Sequence, residues 1–236
     1  MLPEIDSTNA EAVRRASGVP GPIWIMALRQ TAGRGRRGRD WRDPEGNFAA
    51  TYLCRPTGPA DQVALRSFVA ALALHDSLVS VTGRPEAFAL KWPNDVLLHG
   101  GKLAGILLES VGQGAHVGHL AIGIGVNLKN APEAAPGAVA PVSLMGELGH
   151  APTAQEFLNL LAPNYHRWEQ QLLTFGFAPI RRAWLARAAR LGQSLIARTV
   201  SETYEGVFEG LDASGALLLR GPSGTRSISA ADVYFS

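Results

Sequence analysis

The chain of 236 residues holds one cysteine, Cys54. No intramolecular disulfide can form, which suits a reducing compartment such as the cytosol. Charge is sparse: charged residues make up 18% of the chain and the formal net charge is +2. The Met1-Leu2-Pro3-Glu4-Ile5-Asp6 start lacks the basic segment and apolar run of a secretory signal. No apolar stretch reads as long and uninterrupted enough to span a membrane. No internal repeat is visible. What is abundant is hydrophobic side chains, 46% of residues, so a sizeable core is expected and disorder is excluded. The length fits one large domain, or one medium domain and one small.

The small net charge hides a local excess. Residues 29–42 hold six arginines and one aspartate, so the rest of the chain is net acidic. This is a near-neutral protein with one basic loop, unlike a general nucleic-acid binder, which spreads its positive charge over a wide face. The loop reads Gln30-Thr31-Ala32-Gly33-Arg34-Gly35-Arg36-Arg37-Gly38-Arg39-Asp40-Trp41. Glycine lets backbone approach a ligand closely, and the guanidinium fork grips carboxylate or phosphate oxygens in pairs. Gly33-x-Gly35-x-x-Gly38 matches the dinucleotide-binding pattern literally. Polar residues and Pro44 follow it, however, where that pattern needs an apolar helix, so this reading is rejected. An Arg/Gly RNA-binding segment with Trp41 as stacking platform is disfavoured by the charge split. With no acidic cluster nearby in sequence, the arginines should repel one another, a cost expected where an anion binds.

Thr8-Asn9-Ala10-Glu11 has capping-box form, with Thr8 as N-cap of a helix to about Ser17. Strands are expected at 23–28, 48–53, 88–92, 96–98, 103–109 and 116–126, joined by turns short enough for antiparallel pairing. Helices are expected at 61–82, 153–174 and 179–190, and residues 130–141 as a loop. Beyond Gly192, short strands at 194–200, 204–211, 216–219 and 226–229 with Gly-rich turns predict a small barrel docked on the rest.

Three further segments are informative together rather than singly. Lys91-Trp92-Pro93-Asn94-Asp95 places Asn94 and Asp95 in a turn, where an aspartate could meet Mg2+ on nucleotide phosphates. Alone, an ordinary Asx turn is the better reading. Gly100-Gly101-Lys102-Leu103-Ala104-Gly105-Ile106-Leu107-Leu108-Glu109 reads as a hairpin strand with a lysine at its mouth, and a solvent-facing lysine is the usual outcome. Gly123-Ile124-Gly125-Val126-Asn127-Leu128 puts glycines inside an apolar strand, which weakens it unless something needs the space. His116-x-x-His119 resembles a metal pair, but residues three apart on a strand face opposite sides. No Ser/His/Asp order stands out, and Cys54 has no suggestive neighbour.

In order and spacing, Asp6-Ser7-Thr8-Asn9, the Gln30–Trp41 loop, Lys91–Asp95, Lys102–Leu107 and Gly123–Leu128 resemble the biotin protein ligases along the whole chain. The resemblance implies an α+β fold akin to class II aminoacyl-tRNA synthetases. Its sheet is mixed and mainly antiparallel with flanking helices, and an SH3-like β-barrel is attached. Residues 1–190 would be the ligase unit and 191–236 the barrel. Biotin and ATP would give biotinyl-5′-AMP, and the biotinyl group would pass to a lysine of a biotin carboxyl carrier protein domain. By the same resemblance Ser7, Thr8, Asn9 and Gln30 would hold biotin's rings. Arg34, Gly35 and Arg36 would lie at its carboxylate and the adenylate phosphate, and Lys102 would reach both. Arg39, Trp41, Asn94 and Asn127 would contact ATP or the adenylate, and Asp95 would be tied to ATP and Mg2+. Arg36, Lys102 and Asp95 would be the catalytic set.

The chemistry agrees independently. A carboxylate already ionised at neutral pH must meet ATP's α-phosphorus, so alignment and cations are needed rather than a general base. Many bacterial relatives carry a helix-turn-helix domain before the Asp-Ser-Thr-Asn motif. Here the motif begins at Asp6, so no DNA binding is expected. A cytoplasmic enzyme without membrane association is expected, as monomer or homodimer. The alternatives are a lipoate–protein ligase and, from another class, a non-catalytic RNA-binding module that would leave the motifs at 91–127 unexplained.

Overall fold

Side chains alternate between the two faces of a β-strand, and in this protein the two faces of the main sheet are unlike. The computed structural model describes residues 1–111, 117–134 and 139–235. The sheet is built from β1 (Ile23–Ala27), β2 (Phe48–Cys54), β3 (Phe88–Lys91), β4 (Asp95–Leu98), β5 (Gly101–Val111) and β6 (His119–Val126), in the order β1-β2-β6-β5-β4-β3. All pairings between these strands are antiparallel, and parallel pairing is confined to isolated bridges such as Leu2–Ala27. The β4–β5 connection is His99-Gly100, with φ 48° and 84°. Both residues are left-handed, as a two-residue type I′ hairpin requires.

One face carries the main core. Met26, Ile122, Ile124, Val126, Ala104 and Ile106 pack there against α3 (Arg66–Thr82) and α5 (Ala154–Phe175). The other face is thinner. A small cluster of Ile25, Leu53 and Ala121 sits under Ala12 and Ala16 of the N-terminal helix, α1 (Thr8–Arg15), and its 3-10 extension. Further along this face the exposed positions are Gly105, Gly123 and Gly125, with Gly105 paired to Gly125 and Leu107 to Gly123. The functional site lies on this glycine-paved half.

The helix expected at 61–82 is two pieces, α2 (Ala60–Ala64) and α3, joined at Leu65. Contrary to the sequence expectation, the stretch Ala60–Thr82 is apolar and long enough to span a membrane by composition alone. It is the core helix: 72% of its most apolar window is buried inside the fold. Two elements had no sequence signal, α4 (Leu144–Leu148) and the last C-terminal strand. The helix expected from Pro179 is α6 (Phe177–Leu185), because proline is tolerated within a first turn. The strand expected from His116 begins at His119, and His116 itself lies outside the described residues.

The second sheet comprises β7 (Ser194–Arg198), β8 (Thr203–Leu211), β9 (Leu217–Gly221), β10 (Gly224–Ile228) and β11 (Asp232–Phe235), in the order β10-β9-β8-β7-β11. This small SH3-like unit is anchored to the main sheet. Trp92 Nε1 donates to the Gly215 carbonyl at 3.0 Å.

Across the core helices, Arg66 of α3 donates to Glu169 of α5 at 2.9 Å, with side chains 5% and 11% exposed. Removing one partner of such a pair strands a buried charge and costs about 3–5 kcal/mol. Glu169→Ala is therefore expected to lower Tm by at least about 6 °C for a chain of this size. Differential scanning calorimetry checks this, and a shift under about 2 °C would show the pair to be dispensable.

Candidate active site

The site begins with what the glycines leave out. A Cβ on Gly123 would overlap the Asn9 carboxamide, and one on Gly125 would lie 2.6 Å from Trp41 Cζ2. A Cβ on Gly105 would lie 3.0 Å from Trp41 Cζ3. The absent side chains thus make room for Asn9 from α1 and for the Trp41 indole, which lies flat on β5 and β6. The glycines read from sequence as space for a ligand are, first, space for these two side chains.

The N-terminus of α1 forms one wall. Ser7, not Thr8, is the N-cap, and its hydroxyl accepts from Ala10 N at 3.4 Å. Thr8 already lies within the helix, so the cap falls to the extended Ser7 (φ −156°, ψ 135°), while the Thr8 N–H and hydroxyl both donate to Gln30 Oε1, at 2.8 and 3.1 Å. Glu11, expected at the capping box, is instead paired with Arg14 and Arg15. From Thr8 a chain of bonds runs across the sheet. The Thr51 hydroxyl lies 2.9 Å from Thr8 Oγ1 and donates to Asn9 Oδ1 at 2.6 Å. Asn9 Nδ2 donates to Glu109 at 2.8 Å, and Glu109 also receives Arg34 at 3.1 Å.

The arginine–glycine segment is a closed hairpin. Trp41 N donates to the Gly33 carbonyl at 2.9 Å and Gly35 N to the Arg39 carbonyl at 2.7 Å. The chain turns at Arg37 and Gly38, with φ 57° and 71°. The arginines do not simply repel one another, because acids distant in sequence neutralise them. Arg34 meets Glu109, while Arg37 and Arg39 meet the two oxygens of Asp232 in β11 at 3.1 and 2.8 Å. Arg36 differs. It is half-buried, bonds only the neutral Asn94 Oδ1 at 3.2 Å, and points into the cleft. Burial lowers its pKa, yet a guanidinium stays charged. Arg36 is the arginine of this loop left for an incoming anion.

Opposite it stands a charged triad. Asp95 forms ion pairs with Lys102 at 2.7 Å and with Lys91 at 3.6 Å, one on each carboxylate oxygen, and its buried Oδ1 takes no hydrogen bond. Lys91 is buried, and desolvation pulls its pKa down. The Lys102 ammonium also lies 5.8 Å over the Trp41 ring, so it faces the cleft rather than solvent. Asn94 is no ordinary turn residue: its Nδ2 donates to the Ile106 carbonyl at 2.7 Å while its Oδ1 holds Arg36. No group of three potential metal ligands occurs among the described residues, but Asp95, whose buried Oδ1 takes no hydrogen bond, is the carboxylate of this cleft that could meet a metal ion.

Ser7, Thr8, Asn9, Gln30, Arg34, Gly35, Arg36, Arg39, Trp41, Asn94, Asp95 and Lys102 all line this one cleft. Asn127 does not. It lines an adjacent cleft that shares Trp41 and Lys102 with the first and adds Asp40, Arg42 and Pro132. Its Nδ2 donates to the Val142 carbonyl at 3.0 Å, while its Oδ1 is buried without a hydrogen-bond partner among the described residues. His119 is paired with Arg55 at 2.8 Å, and Cys54 is buried with its thiol pushed up to about 12. Sequence reasoning missed Glu109, Thr51, Asp43 and Asp232. Glu109 had a signal, a charge at the alternate position after Gly105 and Leu107; Asp232 had none.

A cation-lined cleft on an antiparallel sheet, with a small barrel bonded to its loop, defines a carboxylate-activating ligase. Residues 2–127 match the biotin/lipoate A/B protein ligase family, and residues 191–236 match the biotin protein ligase C terminal domain. The chain belongs to that family. It is 59% identical to a biotin–[acetyl-CoA-carboxylase] ligase of Paracoccus denitrificans, covering 100% of this chain and 99% of the relative. It is 30% identical to the bifunctional ligase/repressor BirA of Bacillus subtilis, over 97% of this chain and 71% of that protein. Among solved structures, the biotin protein ligase of Aquifex aeolicus in complex with biotin and ATP superposes with a TM-score of 0.85 at 26% identity, covering 100% of this chain and 97% of that one.

Because Asp232 is the acid shared by Arg37 and Arg39, Asp232→Ala is expected to loosen the hairpin tip. Limited trypsinolysis with N-terminal sequencing checks this. Cleavage after Arg37 or Arg39 should be several-fold faster than in the wild type, and equal rates would show that Asp232 does not hold the loop.

Proposed function

We propose that the protein activates biotin with ATP to biotinyl-5′-AMP and transfers the biotinyl group to a lysine of a biotin carboxyl carrier domain of acetyl-CoA carboxylase. The observation that carries this reading is the convergence of Arg36 and Lys102 on one cleft whose far end is the uncharged Thr8–Gln30–Asn9 network. The uncharged end suits the ring system and the cationic end the carboxylate. The second cleft, lined by Asn127 and with the Trp41 edge as a wall, suits the nucleotide base. Trp41 and Lys102 line both clefts, and Arg39 and Asn94, in the first, would meet the phosphates.

In the first step a biotin carboxylate oxygen attacks the α-phosphorus and pyrophosphate departs. Arg36 and Lys102 neutralise the meeting anions and hold them in line. Lys102 exchanges Asp95 for the substrate carboxylate, and Lys91 remains to balance Asp95. Mg2+ would enter with ATP as its substrate complex, and Asp95 would be the carboxylate of the cleft to meet it. In the second step a neutral carrier lysine attacks the acyl carbon and AMP leaves. Asp95, the one carboxylate among the described residues lining the first cleft, is the candidate acceptor for the amine's proton. The Trp41 hairpin shields the mixed anhydride from water. Residues 1–190 supply this chemistry and 191–236 brace the hairpin. The single cysteine favours the cytoplasm.

The test is incubation with ATP, Mg2+, a carrier domain and either biotin or lipoate. Biotin labelling of the carrier is expected. Arg36→Ala and Lys102→Ala should each lower pyrophosphate release about 100-fold or more while melting cooperatively. Labelling by lipoate alone, or unchanged pyrophosphate release in both variants, would overturn the assignment.

A further inference from the structure

The Gln30 amide lines the ring end of the cleft, and which of its two ends a ligand meets depends on the partners that hold it. An amide that flips exchanges a donor for an acceptor. Here its oxygen is committed to Thr8 through two bonds, at 2.8 and 3.1 Å. Its nitrogen donates to Asp43 Oδ2 at 3.4 Å. Asp43 sits just past the hairpin, before Pro44, and does not itself line the cleft.

We propose that Asp43 is a positioning residue: by accepting one N–H of the Gln30 side-chain amide, whose oxygen is held by Thr8, it commits the amide to present its other N–H to the cleft, where a ureido carbonyl accepts it. The proposal rests on the biotin reading and adds a basis for selectivity. A dithiolane ring, as in lipoate, has no such acceptor, so the fixed N–H would stay unpaired against it. Were Gln30 free to flip, the carbonyl oxygens of ligand and amide would face each other.

The carboxylate is half-buried. Burial, only partly offset by the Gln30 bonds, pushes its pKa up to about 6, and Oδ1 has no partner. Charged groups on neighbouring segments are engaged elsewhere: Arg29 with Glu4, Arg42 with Glu133, and Asp6 with Arg14. No described histidine lines the cleft. As pH falls through about 6, Asp43 takes up a proton and becomes a competing donor towards Gln30, so biotin affinity should fall.

The experiment measures biotin Kd by calorimetry, with kcat and KM from pyrophosphate release, between pH 5 and pH 8, for wild type, Asp43→Ala and Asp43→Asn. Asp43→Ala is expected to raise KM for biotin about tenfold, with kcat and KM for ATP within about twofold. Asp43→Asn, whose carboxamide oxygen still accepts from Gln30, should restore KM at neutral pH and abolish the loss of affinity below pH 6. Unchanged KM in Asp43→Ala, equal losses in kcat and both KM values, or an acid limb that persists in Asp43→Asn would each overturn the proposal. Should Asp43→Ala fail to fold, the pH profile of Asp43→Asn decides alone. A wild type that neither binds biotin nor labels a carrier would sink the functional reading itself, a distinguishable result.

Discussion

The seating of the Trp41 indole on two bare glycines is the contact on which the rest of the site depends. Gly105 and Gly125 are direct partners across β5 and β6, so their missing side chains leave one continuous flat patch. The indole covers that patch, and with it the base of the arginine–glycine hairpin is held to the sheet. Gly123, two residues back on β6, does the same for Asn9 of α1. The helix N-terminus and the hairpin, far apart in sequence, are thereby brought to one surface without a large apolar core between them.

Electrostatics then sorts the cations. Arg34, Arg37 and Arg39 each find a carboxylate, from Glu109 and Asp232, and so act as struts. Arg36 finds only an amide oxygen, and Lys102 shares its carboxylate with a second lysine. These two are the cations from which an incoming anion displaces the least. A reaction that joins a carboxylate to a phosphorus needs such groups already in place, because orienting them in water during the reaction would cost what the enzyme must save.

Much of this was legible in sequence for a physical reason. The strands of the main sheet are short, apolar and separated by turn residues, so their limits are correct to within a few residues, apart from β6, whose expected start lies outside the described residues. The clustering of Ser7, Thr8, Asn9, Gln30, Arg36, Asn94, Asp95 and Lys102 follows motifs that are informative only together. What sequence hid is long-range pairing. Nothing near the arginines announces Asp232, almost two hundred residues away, and no periodicity announces the Arg66–Glu169 pair. The capping-box pattern misled by one residue because the helix already begins at Thr8, and the extended residue whose hydroxyl accepts at its N-terminus is Ser7. The strand glycines were recognised as space, but their occupants are side chains of this chain.

The most direct test of this account is the coupling between Gly125→Ala and Trp41→Ala in thermal melting. Overpacking costs about 1–3 kcal/mol, so Gly125→Ala should lower Tm clearly in the otherwise wild-type chain. With the indole removed by Trp41→Ala, the added methyl has open space, and Gly125→Ala should then be close to neutral. Additive effects of the two substitutions would contradict the claim that the indole occupies the glycine patch and seats the loop.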